Sequence, residues 1–131
     1  MDRILLCLVG GAYLLLAAWC TAMPETTARS VGFELTKGAG QSEYLTVYGG
    51  LEFGLGLLLL EPVVRRRPTV SALQTCAVIH VCLVAFRTLG FLLYRDIAFT
   101  TYFLAGVEWL IAGASVSVLV RSRSSTSGAA A

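Results

Sequence analysis

Four long apolar runs of residues limit what this chain can fold into. They cover residues 4–23, 44–61, 69–94 and 97–120, and each is close to the ~20 residues that a helix needs to cross the hydrocarbon core of a bilayer. Within hydrocarbon, a single segment satisfies all of its backbone hydrogen bonds only as a helix. The pattern therefore predicts an all-α fold, an integral membrane bundle of four transmembrane helices.

Composition supports lipid as the solvent. The chain has 131 residues, of which 56% are hydrophobic, and its mean hydropathy is +0.76. A soluble protein of this length exposes much of its surface, and so apolar a surface would not stay dissolved. The net charge of +2 gives no reason to expect a nucleic acid partner. No phosphate loop, dinucleotide fingerprint or zinc-ligand spacing is present, so we predict a multi-pass membrane protein without a cofactor or metal.

Domain organisation follows from the same runs. We expect one transmembrane domain over residues 1–121 and a disordered cytoplasmic tail over residues 122–131, which are rich in Ser and Ala. Residues 24–43 are polar enough to form a loop. The first run is also open to interpretation as a cleaved signal peptide, but its length and its Tyr13 and Trp19 favour a retained helix.

Arginine and lysine predict the orientation in the membrane, because cytoplasmic loops carry an excess of both. If the N-terminus is cytoplasmic, the cytoplasmic side holds Arg3, Arg65, Arg66, Arg67, Arg121 and Arg123. The opposite side then holds only Arg29, Lys37 and Arg95. The imbalance predicts that both chain ends face the cytoplasm.

Ionisable side chains interrupt three of the apolar runs, at Glu52, His80, Arg87 and Glu108. Glu52 and Glu108 lie near the middle of their runs, and Arg87 lies roughly 10 Å along the helix from His80. Side chains tilt toward the N-terminus of their own helix. The second and fourth helices run antiparallel to the third. Glu52 and Glu108 therefore lean in one direction along the membrane normal, and Arg87 leans in the opposite direction, toward them. We predict that these three converge on one level, with Tyr48 one turn from Glu52 on the same face.

Charges in the membrane interior require a compensating interaction, because each costs at least ~2.5–3.5 kcal/mol at the bilayer centre. One hypothesis is structural, with Arg87 pairing with one or both glutamates to hold the helices together. The other is a polar cavity that binds or transforms a ligand. Two carboxyl groups against one guanidinium leave a spare acid, and burial favours its protonated form. We therefore assign Glu52, Glu108 and Arg87 as candidate catalytic residues.

Small and polar neighbours complete the candidate site. Gly49, Gly50, Gly54 and Gly56 crowd the second run, and Gly50-x-x-x-Gly54 is a pattern typical of closely packed membrane helices. Alternatively, Gly49 and Gly50 leave room for a ligand beside Glu52. His80 is expected to be a hydrogen-bonded interior histidine or a ligand contact. No ligand spacing around it indicates a metal.

Residues 43–60, read as E-Y-L-T-V-Y-G-G-L-E-F-G-L-G-L-L-L-L, resemble the core motif of a family of small four-helix membrane proteins known as domain of unknown function 4345. The family pattern also includes a Gly-Phe pair in the first loop, an arginine late in the third helix and a glutamate in the fourth. The matching residues here are Gly32, Phe33, Tyr48, Gly49, Gly50, Arg87 and Glu108. The resemblance implies the four-helix architecture and leaves the activity open.

Three functions suit these features. The first is a membrane enzyme that isomerises or cyclises a lipophilic substrate, or opens its epoxide. A protonated Glu52 or Glu108 would be the general acid, Arg87 would stabilise anionic charge and Tyr48 would donate a hydrogen bond. The second is a proton-coupled exporter of lipophilic cations, which Arg87 would repel. The third is an accessory or structural subunit. A homo-oligomer is compatible with all three.

Overall fold

The four apolar runs form four long helices. A computed structural model of the protein describes the backbone of residues 1–127 and the side chains of residues 1–121. In that part of the chain the helices are α1 (Asp2–Ala22), α2 (Pro24–Ser30), α3 (Ala39–Val64), α4 (Val70–Leu93) and α5 (Phe99–Ser127). All but α2 are long and apolar enough to cross a membrane. The protein is therefore an all-α, multi-pass integral membrane protein.

Several stretches differ from the sequence prediction, and α3 begins at Ala39, within the expected loop. The first part of the expected loop is the short helix α2, which begins with Pro24. Proline is suited to this position, because the first backbone N–H groups of a helix have no hydrogen-bond partner within the helix. The Thr27 hydroxyl donates a 2.8 Å hydrogen bond to the Met23 carbonyl and secures this turn. Helix α3 continues through Pro62 to Val64, although a proline removes one helical hydrogen bond.

The last helix also extends beyond its predicted end. Helix α5 runs to Ser127 and thus into the segment expected to be a disordered tail. Residues 128–131 lie outside the described part of the chain. The tail and its cytoplasmic location stay predictions.

Helix α3 contains a π-helical segment over Leu45–Leu51. The backbone N–H of Glu52 donates to the Val47 carbonyl five residues back, as a π-helix requires. The segment carries Tyr48, Gly49 and Gly50 and ends at Glu52. Such segments frequently occur at functional sites, so the local backbone marks the same region as the polar residues do.

The close approach of α1 and α3 depends on glycines other than the predicted pair. A Cβ atom added at Gly56 would lie 2.7 Å from Leu14 Cδ2 and 3.0 Å from the Gly10 carbonyl oxygen. A Cβ atom added at Gly50 or Gly54 would meet nothing within 4 Å. The prediction that Gly50 and Gly54 form the packing face is therefore wrong for contacts within this chain. Periodicity defines the faces of a helix but does not tell which face meets a neighbour.

The helices pack as two pairs, α1 with α3 and α4 with α5. The pairs meet in an apolar core built from Leu6, Val9, Leu59, Ala72, Leu73, Cys76 and Val118. This core lies toward the arginine end, which we define by Arg3, Arg65, Arg66 and Arg67. There the Arg3 guanidinium donates to the carbonyl oxygens of Val63 and Arg67, so the start of α1 and the α3–α4 turn share one end of the bundle.

The outer surface of the bundle is apolar. Phe86, Leu92 and Leu110 are 75–79% exposed, and many other large hydrophobic side chains point outward along all four long helices. Water would make such a surface costly, whereas acyl chains solvate it. The exposed face therefore contacts the lipid bilayer.

Candidate functional site

Arg87 and Glu108 form a two-point ion pair between α4 and α5. The Nε and Nη2 atoms of Arg87 donate hydrogen bonds of 2.6 Å each to the two carboxylate oxygens of Glu108. The side chains are only 27% and 14% exposed. Helix tilt predicted that Arg87 would pair with Glu52 or Glu108, and this prediction is confirmed for Glu108.

Glu52 is the carboxyl group that remains unpaired. It begins the second α-helical part of α3, immediately after the π-helical segment. Its Oε2 atom is buried and has no hydrogen-bond partner among the described residues. Glu52 is nevertheless close enough to Tyr13 and Tyr48 to act electrostatically on both. Burial without a partner favours the neutral, protonated carboxyl.

Tyr48 lies near the charged residues but packs with aromatic rings. Its ring stacks on Tyr44 at a centroid distance of 4.5 Å and meets the edge of Phe33 at 6.1 Å. Tyr48 is within electrostatic range of both Glu52 and Arg87. Among the described side chains, however, its hydroxyl group has no hydrogen bond to either residue.

His80 belongs to a buried polar network that also lies within electrostatic range of Glu108. The ring is 2% exposed, and its Nδ1 atom lies 2.8 Å from the Cys76 carbonyl oxygen. A carbonyl only accepts, so Nδ1 carries the proton, and Nε2 is left to accept from the Tyr13 hydroxyl at 3.5 Å. The Cys76 thiol lies 3.3 Å from the Ser115 hydroxyl. His80 is therefore a hydrogen-bonded interior histidine.

No side-chain cluster in the described part of the chain is suited to a metal ion. Among those residues, no group of three or more His, Cys, Asp or Glu side chains converges. Glu52, His80 and Glu108 lie on three different helices and do not form such a group. The chemistry available at this site is that of carboxyl, guanidinium, imidazole and hydroxyl groups.

A cavity of about 660 Å³ lies beside Arg87 and is more open than enclosed. We call it the Arg87 cavity. It lies between the α2–α3 connection, represented by Val31 and Gly32, and the hairpin of α4 and α5. Apolar and aromatic side chains form most of the wall around Arg87, with Asp96 also in its lining, and the wall includes Leu83, Phe86, Phe91 and Ile97. The volume lies within the range of ligand sites, about 300–1,000 Å³.

The predicted site residues divide between several places. Arg87 lines the Arg87 cavity, but Glu52, Tyr48, His80 and Glu108 are not in its wall. Gly49 and Gly50 instead border a second groove of about 560 Å³ between α1 and α3. Gly49 is itself tightly packed, since a Cβ atom there would lie 2.8 Å from the Thr21 hydroxyl oxygen. Of the predicted cluster, Arg87 and Glu108 are in direct contact. Tyr48 is within electrostatic range of Arg87 and Glu52, and His80 is within range of Glu108.

Comparison with known proteins identifies no relative. No protein-family model, no curated protein and no solved structure matches the chain. The resemblance to domain of unknown function 4345 gains no support from a family match. The four long apolar helices support only the part of the prediction that concerns a small four-helix membrane protein.

Sequence reasoning missed several polar residues: Tyr13, Cys76 and Ser115 around His80, and Asp96 in the exposed α4–α5 turn. Tyr13 reaches His80 from the middle of α1. Its position far from either end of the first run could have indicated that its hydroxyl group has a partner inside the bundle. A tyrosine that anchors a helix at the membrane surface lies near a run's end. Asp96 lines the Arg87 cavity from the α4–α5 turn, and nothing in its local sequence indicated this position.

Proposed function

We propose that the protein binds a lipophilic small molecule in the Arg87 cavity. The observation that carries the proposal is that a cavity of ligand size reaches an arginine inside the membrane-spanning region. Most such sites combine apolar walls with a few polar groups that fix orientation. Here the apolar wall contacts the hydrophobic body, and Arg87 contacts a polar atom of the ligand.

Filling the cavity tests this proposal. Gly90 lines the cavity, and a Cβ atom added there would meet nothing within 4 Å. Gly106 on α5 is exposed, has the same open space around it and does not line the cavity. Gly90→Leu should abolish saturable photolabelling of the purified protein by an alkyl diazirine probe, and Gly106→Leu should preserve it. Equal labelling of the two variants would contradict the proposal.

A second candidate function is acid catalysis by Glu52 on a molecule that reaches this residue from the membrane, since Glu52 does not line the Arg87 cavity. The supporting observation is the buried, unpaired Oε2 atom, which favours a protonated carboxyl that can deliver a proton. Glu108 is less suited to this role because both of its oxygens accept hydrogen bonds from Arg87. We propose Glu108 as the residue that positions Arg87.

Comparing Glu52→Gln with the wild type tests the catalytic candidate. The amide keeps the shape of the side chain but cannot deliver a proton. Lipid extracts of cells producing either protein should differ by a product of the wild type that is absent with Glu52→Gln, while alkyl diazirine labelling stays unchanged. Identical extracts with intact labelling would favour binding without catalysis.

The two other functions gain less support. A cation exporter would place its cargo beside Arg87, where like charges repel. An accessory subunit would need only its outer helix faces and leaves the Arg87 cavity without a role. Saturable labelling that depends on Gly90 would distinguish the binding function from the accessory one.

A further inference from the structure

We propose that the ligand is a neutral lipophile with a carbonyl oxygen, such as an ester, ketone or aldehyde, and that Arg87 binds this oxygen. This inference rests on the proposed binding function and specifies the ligand. It follows from the hydrogen-bonding capacity that Arg87 retains, the charges around the cavity and the apolar character of the wall.

Arg87 keeps hydrogen-bond donors that Glu108 does not use. A guanidinium group has five N–H donors and no acceptor. Glu108 occupies Nε and one position on Nη2, while Nη1 has no hydrogen-bond partner among the described side chains and backbone groups. The side chain is 27% exposed and lines the Arg87 cavity. The retained donors can therefore meet an acceptor oxygen of a ligand.

The surrounding charges disfavour an ionic ligand. Arg87 and Glu108 together are neutral, and the other charged residue in the wall is Asp96. A carboxylate or phosphate would compete with Glu108 for the guanidinium and approach a second carboxylate at Asp96. A cationic amine would meet Arg87 itself. A neutral acceptor oxygen gains the hydrogen bond without either repulsion.

The remaining wall suits a hydrocarbon body. Leu83, Phe86 and Ile97 contribute apolar surface to the cavity. The Phe91 ring also lines it and stacks on Tyr102 at a centroid distance of 4.8 Å, which fixes one side of the wall. Tyr94 and Thr101, each with a hydroxyl group, also line the cavity. A carbonyl group on an alkyl chain matches the free donors of Arg87 together with these apolar sides.

Competition among ligands of equal chain length tests the inference. The purified protein in detergent is photolabelled with an alkyl diazirine methyl ketone, and labelling is competed with 2-tetradecanone, tetradecanoic acid, tetradecylamine and tetradecane at neutral pH. We expect the ketone to compete at about tenfold lower concentration than the other three compounds, as a hydrogen bond to a charged donor allows. This comparison uses the wild-type protein and needs no variant.

A paired substitution then tests the role of Arg87. Arg87→Met with Glu108→Leu removes the donors without leaving a buried charge, and the ketone should then compete no better than tetradecane. The control is Arg67→Met with Glu61→Leu, which removes the exposed pair with a 3.1 Å separation at the arginine end. The control should keep the preference for the ketone.

The outcomes separate the two proposals. Labelling that is not saturable, or that survives Gly90→Leu, overturns the proposed binding function and this inference with it. Saturable, Gly90-dependent labelling that the acid or amine competes best overturns only the choice of a neutral carbonyl. A ketone preference that persists after removal of Arg87 and Glu108 also overturns the inference and leaves the binding function intact.

Discussion

Arg87 on α4 and Glu108 on α5 are joined by two hydrogen bonds of 2.6 Å, one to each carboxylate oxygen. Both side chains lie within membrane-spanning helices and are less than one-third exposed. In such surroundings, each charge depends on the other for its solvation. Removing one partner leaves the other charge buried without compensation, whereas removing both leaves no buried charge.

A single substitution in this pair should destabilise the bundle strongly. Arg87→Met leaves the Glu108 carboxylate without its partner, and we expect a loss of about 3–5 kcal/mol in the free energy of unfolding. The double variant Arg87→Met with Glu108→Leu should lose much less, because packed apolar groups often replace a buried ion pair without cost. Denaturant titration in detergent micelles measures both. Arg66→Met at the arginine end is the control and should stay near the wild type.

Glu52→Leu should raise stability. The buried Oε2 atom has no hydrogen-bond partner among the described residues, and an unsatisfied buried polar atom costs about 1–3 kcal/mol. We expect the variant to unfold at a higher temperature than the wild type, with Glu43→Leu as a control in an exposed position on the same helix. A lower unfolding temperature for Glu52→Leu would show that the carboxyl group makes a stabilising interaction.

The triple variant Glu52→Leu, Arg87→Met and Glu108→Leu separates folding from function. It should fold, because its buried charges are removed together. If the charged residues bind or protonate a ligand, it should fail to complement a deletion of the gene, and we expect this result. Full complementation by the folded triple variant would remove the catalytic and proton-coupled functions and leave an accessory role.

Matched glycine substitutions test the packing of α1 against α3. Gly56→Ala places a Cβ atom 2.7 Å from Leu14 Cδ2 and 3.0 Å from the Gly10 carbonyl oxygen. The Leu14 side chain must move and the backbone at Gly10 must give way slightly, so we expect a loss of about 1–3 kcal/mol in the free energy of unfolding. Gly54→Ala meets nothing within 4 Å and should be neutral or slightly stabilising, because alanine favours a helix. Equal effects at the two positions would contradict this packing.

Reporter fusions test the proposed orientation. Fusions at Arg67 and Arg123 should give cytoplasmic signals, and a fusion at Lys37 should give an external signal, because the arginine excess favours the cytoplasmic side. A cytoplasmic signal at Lys37 would reverse the orientation. An external signal at Arg123 together with a cytoplasmic signal at Arg67 would require a different number of crossings.

The sequence alone determined the class and much of the secondary structure of this protein. Apolar run length depends only on the thickness of hydrocarbon and the rise of a helix, so the four long helices were predictable without tertiary information. The antiparallel order of the runs and the tilt of side chains also foresaw that Arg87 would reach a glutamate. The same rules did not choose between Glu52 and Glu108.

Only the tertiary structure decided which residues meet. Helix pairing placed Glu108 beside Arg87 and left the Glu52 Oε2 atom without a hydrogen-bond partner among the described residues. It also made Gly56 the close contact instead of Gly54. The Arg87 cavity depends on the separation between the α2–α3 connection and the α4–α5 hairpin. These features arise from the rotations of the helices and the distances between them. An apolar sequence pattern carries no information about either, because lipid solvates every apolar helix face equally well.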